Sequence, residues 1–310
     1  LGLAPDDVVM APPGTVLKTS SGKIRRGAVR DLYGNDQIGK APRALWRQAA
    51  RVALGALRPG LKSLWRRSRA FLHAARVQAV FWLLFPFGWL GAVLLPRLEW
   101  RWACVHYGAR LLFWLCGTPL RVTGLDNLPA GACVITPNHS SYLDGVALVA
   151  ALRRPVRFVA KAELAPQFIA GRFLKGLNAH FVERFDRRKS LGDARAAGET
   201  LKRGGRLLSF PEGTLIRAPG LLPFHMGPFV AAAEAGVPVV PVVIRGTRSI
   251  LRSGSWFPRR GMVALQVLEP IDPGGRDWEH AVALRDAARE AILAHLGEPD
   301  LAGETPAIHG

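Results

Sequence analysis

The chain has 310 residues, of which 49% are hydrophobic, so it can bury the core of one large domain or of two smaller ones. It carries 42 Lys and Arg against 23 Asp and Glu, and the net charge of +19 predicts a polyanionic partner, either nucleic acid or an anionic membrane. Three cysteines, which have no C-x-x-C spacing and cannot all pair, indicate a reduced, cytosol-facing protein.

The first element in chain order, residues 1–39, is a turn-rich stretch that leads into a short helix. It contains the sequence APPGTVLKTSSGKIRRGAVRDLYG. Gly14 and Gly22 do not have the spacing of a phosphate-binding P-loop. Because the chain does not begin with methionine and this stretch reads like the end of a domain, we expect the chain to be a fragment.

Residues 40–76 form a basic segment, which we interpret as an amphipathic linker. Arg43, Arg47 and Arg51 are four residues apart and would share one helical face, which favours an interfacial helix over a solvated linker. No Asp or Glu occurs from Gln37 to Leu98. Since no nucleic-acid recognition motif accompanies the charge, we expect an anionic membrane surface as the partner and no nucleic acid.

Residues 77–118 are predicted to be membrane-associated. Residues 77–96 have no charged side chain, and these twenty residues meet the minimum length of a spanning helix. Pro86, Gly88 and Gly91 favour an alternative, in which the segment breaks into a half-inserted hairpin with residues 109–117. A buried helix of a soluble protein is the third possibility, and the sequence leaves the three open.

Residues 119–275 alternate between short apolar runs and helix-like stretches, which predicts an α/β domain with a largely parallel sheet flanked by helices. The candidate strands are 120–124, 132–136, 156–160, 179–183, 206–210, 237–244 and 262–268. The candidate helices are 142–152, 189–203 and 226–235. Residues 276–310 are predicted to form a C-terminal helix, up to residue 296, and a polar tail. In parallel sheets, ligands bind beyond the carboxyl ends of the strands.

The loop after the second candidate strand contains NHSSYLDG, with His139 five residues before Asp144. One interpretation is a catalytic pair, in which the carboxylate orients the imidazole as a general base. The other is a helix start, because Ser141 and Asp144 have the spacing of a capping box. No protein nucleophile is evident, which favours direct deprotonation of a substrate hydroxyl.

Two later loops carry further polar candidates. Glu212, Gly213 and Thr214 end another strand in the sequence FPEGT, where a carboxylate, a flexible glycine and a hydroxyl suit the binding of a polyol. Arg184 ends the candidate strand 179–183, where a guanidinium can hold a phosphate. Each is also compatible with an ordinary turn or a surface charge.

The ordered set NHSSYLDG, FVER, FPEGT and VPVVPV resembles the four motifs of the glycerolipid acyltransferases, which include the 1-acylglycerol-3-phosphate acyltransferases. The resemblance implies His139 as general base and Asp144 as its orienting partner. It also implies that Arg184 binds the acceptor phosphate and that Glu212, Gly213 and Thr214 shape the glycerol site. The implied co-substrates are acyl-CoA or acyl-carrier protein as acyl donor and a lysophospholipid as acceptor, with no cofactor and no metal.

Two positions depart from the pattern of that family. Leu215 follows Thr214 where many members have an arginine, so that Arg217 is the nearest arginine. His225 stands where a lysine or arginine is common, as a second acceptor contact or as a surface histidine. These departures put lysophosphatidate as the acceptor in doubt more than acyl transfer itself.

Residues 1–39 resemble a different family, through the sequence VLKTSSGKIRR. It is similar to the final motif of adenylate-forming acyl synthetases, in which the lysine at the place of Lys23 contacts the acyl-adenylate. The resemblance implies a C-terminal remnant of an AMP-binding domain in these residues.

The sequence therefore predicts a membrane-bound acyltransferase of phospholipid biosynthesis on the cytoplasmic face of a bacterial inner membrane. The alternatives are the acyltransferase half of a bifunctional acyl-activating enzyme with a non-phosphatidate acceptor, and a non-catalytic basic membrane-binding module.

Overall fold

The computed structural model describes residues 7–11, 15–19, 22–38, 45–182 and 197–303, and for residues 45–61 it describes the backbone alone. The chain divides into two compact units, Leu1–Arg67 and Ser68–Gly310. In the first unit, an antiparallel bridge joins Lys18 to Ile24 around a turn, and the exposed Lys23 lies in that turn. Helix α1 follows at Arg26–Gly34.

The second unit contains a seven-stranded sheet in the order β1-β7-β6-β2-β5-β3-β4. The strands are β1 Leu120–Thr123, β2 Cys133–Pro137, β3 Arg157–Lys161, β4 His180–Val182, β5 Arg206–Leu208, β6 Val239–Arg245 and β7 Val263–Val267. Each overlaps one of the seven predicted strands. All neighbouring pairs are parallel except β6 and β7, which are antiparallel. The prediction of a largely parallel α/β sheet flanked by helices is therefore confirmed.

The helices of the second unit cover both faces of this sheet. They are α3 Leu98–Leu115, α4 Leu143–Ala151, α5 Phe168–Gly176, α6, of which residues 197–202 are described, α7 Gly227–Ala235, α8 Thr247–Ile250 and α9 Trp278–Leu296. Alternate residues of β2 enter two different cores: Cys133 and Ile135 pack with α3 and α4, and Val134 packs with α7 and α9. Burial on both faces explains why the central strands read as continuous apolar runs.

Helix α2, Leu45–Leu94, continues through Pro86, Gly88 and Gly91, so the break that the sequence left open at these residues does not occur. The chain turns back only after Leu94, and α3 then packs antiparallel against the end of α2. A Cβ atom at Gly91 would collide with the thiol of Cys104, so glycine is what lets the two helices approach. Proline lacks the N–H that the interior of a helix uses, yet α2 continues past Pro86, which is exposed.

Residues Lys62–Leu94 of α2 form a segment that is long and apolar enough to cross a membrane. In an apolar 18-residue stretch of this segment, 6% is buried inside the protein. This finding concerns length and composition alone.

Candidate active site

The loop after β2 is fixed to the neighbouring strand β6 by Asn138. Its side-chain amide donates to the carbonyl of Ile244 at 3.0 Å, and its Oδ1 accepts from the Ile244 N–H at 2.7 Å. Because β2 and β6 are parallel, this pair of bonds holds the next residue, His139, at the carboxyl edge of the sheet. A buried asparagine with both amide groups satisfied gives a rigid starting point for the loop.

His139 and Asp144 are in contact. Nδ1 of the imidazole lies 3.1 Å from Oδ2 of Asp144, which is fully buried, while 21% of the His139 side chain is exposed. A carboxylate at this distance accepts the Nδ1–H proton, which leaves Nε2 unprotonated in the neutral ring. The imidazole also stacks on Phe210, with ring centroids 3.9 Å apart. These contacts restrict the ring to one orientation.

The same carboxylate oxygen also starts helix α4. Oδ2 of Asp144 accepts the backbone N–H of Ser140 at 2.6 Å and that of Ser141 at 2.8 Å. The hydroxyl of Ser141 in turn accepts the backbone N–H of Leu143 at 3.1 Å. The side chains of Ser141 and Asp144 therefore each accept a backbone N–H at the start of the helix. The two interpretations of this loop are therefore compatible, since one carboxylate serves the helix start and the imidazole together.

Glu212 reaches the histidine loop from the loop after β5. Its Oε1 accepts the backbone N–H of His139 at 2.6 Å, and its Oε2 accepts the N–H of Leu222 at 2.9 Å. Burial raises the pKa of this carboxyl to about 7, against the opposing effect of the two N–H donors and of the Arg248 charge. Both oxygens thus bind backbone, a role that the sequence did not predict and for which it has no local signal.

The other predicted binding residues differ in their exposure to solvent. Gly213 is buried with a φ of 72°, a conformation that favours glycine, and Thr214 beside it is exposed. Arg217 is exposed, and its Nε donates to the carbonyl of Ser253 at 3.0 Å. His225 is also exposed, and its backbone N–H donates to the carbonyl of Pro211 at 2.8 Å. Arg184 lies outside the described residues.

Residues after β6, which no motif had indicated, complete the surroundings of the histidine loop. The Oγ of Ser140 lies 3.2 Å from Oγ1 of the buried Thr247, and the Ser141 hydroxyl donates to the carbonyl of Leu251 at 2.7 Å. Arg248 donates to the carbonyls of Ile216 and Ala218. Helix α8 therefore joins the histidine loop to the loop that carries Glu212.

An apolar cavity of about 460 Å³ opens beside His139. Its wall comes from α2, α3, α4 and α5, together with the His139 and Phe210 rings. The lining includes Phe81, Leu84, Phe85, Gly88, Trp89, Val105, Gly108, Ala109, Leu112, Tyr142, Gly145, Val146, Val149, Phe158, Phe173, Leu174 and Leu177. Such a cavity suits a flexible hydrocarbon chain whose reactive end stops at the imidazole.

Among the residues that the structure describes, no group of three or more His, Cys, Asp or Glu side chains is placed to hold a metal ion. The chemistry that the described geometry supports is proton transfer at Nε2 of His139, next to an apolar cavity.

Residues 119–245 match the family model described as Acyltransferase. The 1-acyl-sn-glycerol-3-phosphate acyltransferase of Chlamydomonas reinhardtii is 34% identical over 201 residues, which cover 61% of this chain and 58% of that relative. The chloroplastic enzyme of the same name from Brassica napus is 34% identical over 56% of this chain and 50% of its own length. The chain thus spans between half and about three fifths of the length of these curated relatives.

Two further similarities extend the comparison. The lysophospholipid acyltransferase LPCAT4 of Homo sapiens is 34% identical over 61% of this chain and 38% of its own length. The crystal structure of the 1-acyl-sn-glycerophosphate acyltransferase PlsC from Thermotoga maritima has a TM-score of 0.61 and 25% identity. It matches over 74% of this chain and 97% of that one. The chain is thus similar to glycerolipid acyltransferases in sequence and in fold, and its acyltransferase match lies at residues 119–245.

Proposed function

We propose, from the acyltransferase domain at residues 119–245, that the chain transfers a fatty acyl group to the hydroxyl of a lysoglycerolipid. The observation that carries the proposal is the imidazole of His139, held by the buried Asp144 at 3.1 Å beside an apolar cavity. The acyl donor is a thioester, either acyl-CoA or acyl-carrier protein, and the reaction uses it as a co-substrate with no resident cofactor.

The proposed chemistry is a direct transfer. Nε2 of His139 takes the proton of the acceptor hydroxyl, and the oxygen attacks the thioester carbonyl. The C–S bond then breaks, and the imidazolium returns the proton to the leaving thiolate. Asp144 stabilises the imidazolium because its carboxylate already accepts a hydrogen bond from Nδ1. No covalent intermediate with the protein is required.

The proposed acceptor is similar to 1-acylglycerol-3-phosphate, as the names of the relatives suggest. Arg217 supports this part of the proposal, since its exposed guanidinium follows the loop of Glu212 and can pair with a phosphate. Arg184 and His225 are the other proposed contacts. With Leu215 in place of an arginine, a lysophospholipid with a larger headgroup is the second candidate, and the similarity to a lysophospholipid acyltransferase favours it.

The proposal places the enzyme on an anionic membrane, through the basic segment 40–76 and the apolar segment that follows it. The long apolar helix supports membrane association, and the cytoplasmic face of a bacterial inner membrane is the proposed location. For residues 1–39, we propose the C-terminal end of an acyl-activating domain with Lys23 as its adenylate contact. In a longer parent protein, that domain would supply the acyl group.

The test is product analysis by mass spectrometry, with acyl-CoA or acyl-carrier protein and several lysolipids as substrates. We expect a diacyl product, and His139→Ala should slow its formation by at least about 10². The matched control is His280→Ala, because His280 also pairs with an aspartate, Asp277 at 2.7 Å, but lies at the start of α9. A fully active His139→Ala variant would overturn the proposal, and a profile without phosphatidate would overturn the proposed acceptor.

A further inference from the structure

The segment after helix α8, residues 251–260, has the sequence LRSGSWFPRR and exposes two large aromatic side chains. Trp256 is 76% exposed and Phe257 is 42% exposed. Burying an aromatic side chain of this size contributes about 1.5–3 kcal/mol, so a partner that covers both side chains would be stabilised by them. We call residues 251–260 the aromatic loop.

The backbone of the aromatic loop is held at several points. The side-chain amide of Gln78 on α2 donates to the carbonyl of Trp256 at 2.6 Å. Arg217 donates to the Ser253 carbonyl at 3.0 Å, and the Arg259 N–H donates to the Ile250 carbonyl at 2.8 Å. The aromatic side chains are thus presented to the outside by a positioned backbone.

The inner side of the aromatic loop packs on α2 at His73, which is buried. Burial lowers the pKa of this imidazole, and the charges of Arg260 and Arg76 lower it further. The hydrogen bond from Gln78 to the Trp256 carbonyl is a further contact between α2 and the loop.

Arginines flank the exposed aromatic pair. Arg252, Arg259 and Arg260 are all exposed, while Pro258 between them is buried. Aromatic side chains enter the region between headgroups and acyl chains, and adjacent cations pair with the phosphates of anionic lipids. The charge pattern of the aromatic loop therefore fits an anionic bilayer better than an apolar protein surface.

The aromatic loop is also connected to the proposed catalytic residues. The Leu251 carbonyl accepts a hydrogen bond from Ser141, two residues after His139, at 2.7 Å. On its other side, Gln78 precedes Phe81 and Phe85, which line the apolar cavity. Helix α2 itself also exposes apolar side chains, since Trp82, Leu83 and Phe87 are each more than half exposed.

We propose that the aromatic loop is a second membrane-binding element, in addition to the basic segment 40–76. It inserts Trp256 and Phe257 into the interface of an anionic phospholipid bilayer, while Arg252, Arg259 and Arg260 pair with headgroup phosphates. The loop thereby holds the histidine loop at the membrane surface, where a lipid acceptor can reach it. This last consequence rests on the proposed function, whereas the binding itself does not.

The experiment measures co-sedimentation of the full chain with phosphatidylcholine vesicles that contain or lack phosphatidylglycerol. We expect the double variant Trp256→Ser with Phe257→Ser to bind the anionic vesicles at least about tenfold more weakly. Trp278→Ser is the matched control, because Trp278 is 63% exposed at the start of α9, and its binding should equal that of the wild type. Equal binding by the double variant and the wild type would overturn the inference.

Two further variants guard against misfolding. Trp256→Phe should retain binding, because it keeps an aromatic side chain. Arg259→Gln with Arg260→Gln should weaken binding to anionic vesicles, with little change on phosphatidylcholine alone; equal losses on both would contradict the role of charge. Acyl transfer to an acceptor dispersed in detergent is measured in parallel. If the double variant loses vesicle binding but the wild type shows no acyl transfer, the proposed function is refuted and this inference stands.

Discussion

The carboxylate of Glu212 accepts a hydrogen bond from the backbone N–H of His139 at 2.6 Å, although 73 residues separate the two in the chain. Its second oxygen accepts from Leu222 at 2.9 Å. Glu212 therefore ties the histidine loop to the segment after its own loop. Both of its oxygens thus bind backbone N–H groups, and contact of Glu212 with the acceptor stays a prediction.

The raised pKa of Glu212 predicts a pH dependence of stability. Burial raises this pKa from an ordinary value of 4.5 to about 7, so between these values the folded state binds more protons than the unfolded state. The corresponding stabilisation is complete below the unfolded pKa and is lost as the pH rises through about 7. The loss is on the order of 3 kcal/mol.

Glu212→Gln removes this titration, so its free energy of unfolding should vary less than that of the wild type between about pH 5 and about pH 8. Urea unfolding in detergent micelles measures the difference. Glu199→Gln is the control, because the Glu199 side chain is 59% exposed. An unchanged slope in Glu212→Gln would show that another group titrates in this range.

Asp144 is expected to contribute to both activity and stability. Asp144→Ala leaves the buried N–H groups of Ser140 and Ser141 without their acceptor, at about 1–3 kcal/mol for each. Asp144→Asn keeps an amide oxygen for these donors but removes the charge that stabilises the imidazolium, so its kcat should fall more than its stability. Thermal unfolding and steady-state kinetics separate the two effects.

Asp277 offers a comparison for Asp144. It accepts the N–H of His280 at 3.0 Å and lies 2.7 Å from Nδ1 of the same residue, at the start of α9. Asp277→Ala should lower the stability slightly, through the loss of a helix cap, and leave kcat unchanged. Full kcat in Asp144→Asn would contradict the orienting role.

The apolar cavity predicts a change in chain-length preference. Gly108 lines the cavity, and a Cβ atom at this position would meet nothing within 4 Å. Gly108→Leu should therefore fill part of the cavity and lower the rate with long acyl donors by at least about tenfold, relative to short ones. Competition between acyl donors of different length measures this ratio.

Gly27→Leu is the control for that substitution. Gly27 is exposed on α1 in the first unit, and a Cβ atom there also meets nothing within 4 Å. Its donor preference should match that of the wild type. A Gly108→Leu variant with the wild-type preference would place the acyl chain elsewhere.

Burial patterns made much of the fold predictable. The apolar runs that became β2 and β6 are buried on both faces of the sheet, and this burial leaves a visible pattern in consecutive residues. The rule that ligands bind at the carboxyl ends of parallel strands then indicated the loops of His139 and Glu212. The contact of His139 with Asp144 was predictable for a similar reason, since both residues lie in one turn.

The sequence by itself thus determined the positions of the strands, the class of the sheet and the loop with the histidine and aspartate. Only the tertiary structure decided the antiparallel pairing of β6 with β7, the continuation of α2 through Pro86 and the bond from Glu212 to His139. It also decided that Gln78 of α2 fixes the loop of Trp256, 178 residues away. Such contacts depend on where separate elements pack, and they leave no periodic pattern in the residues that make them.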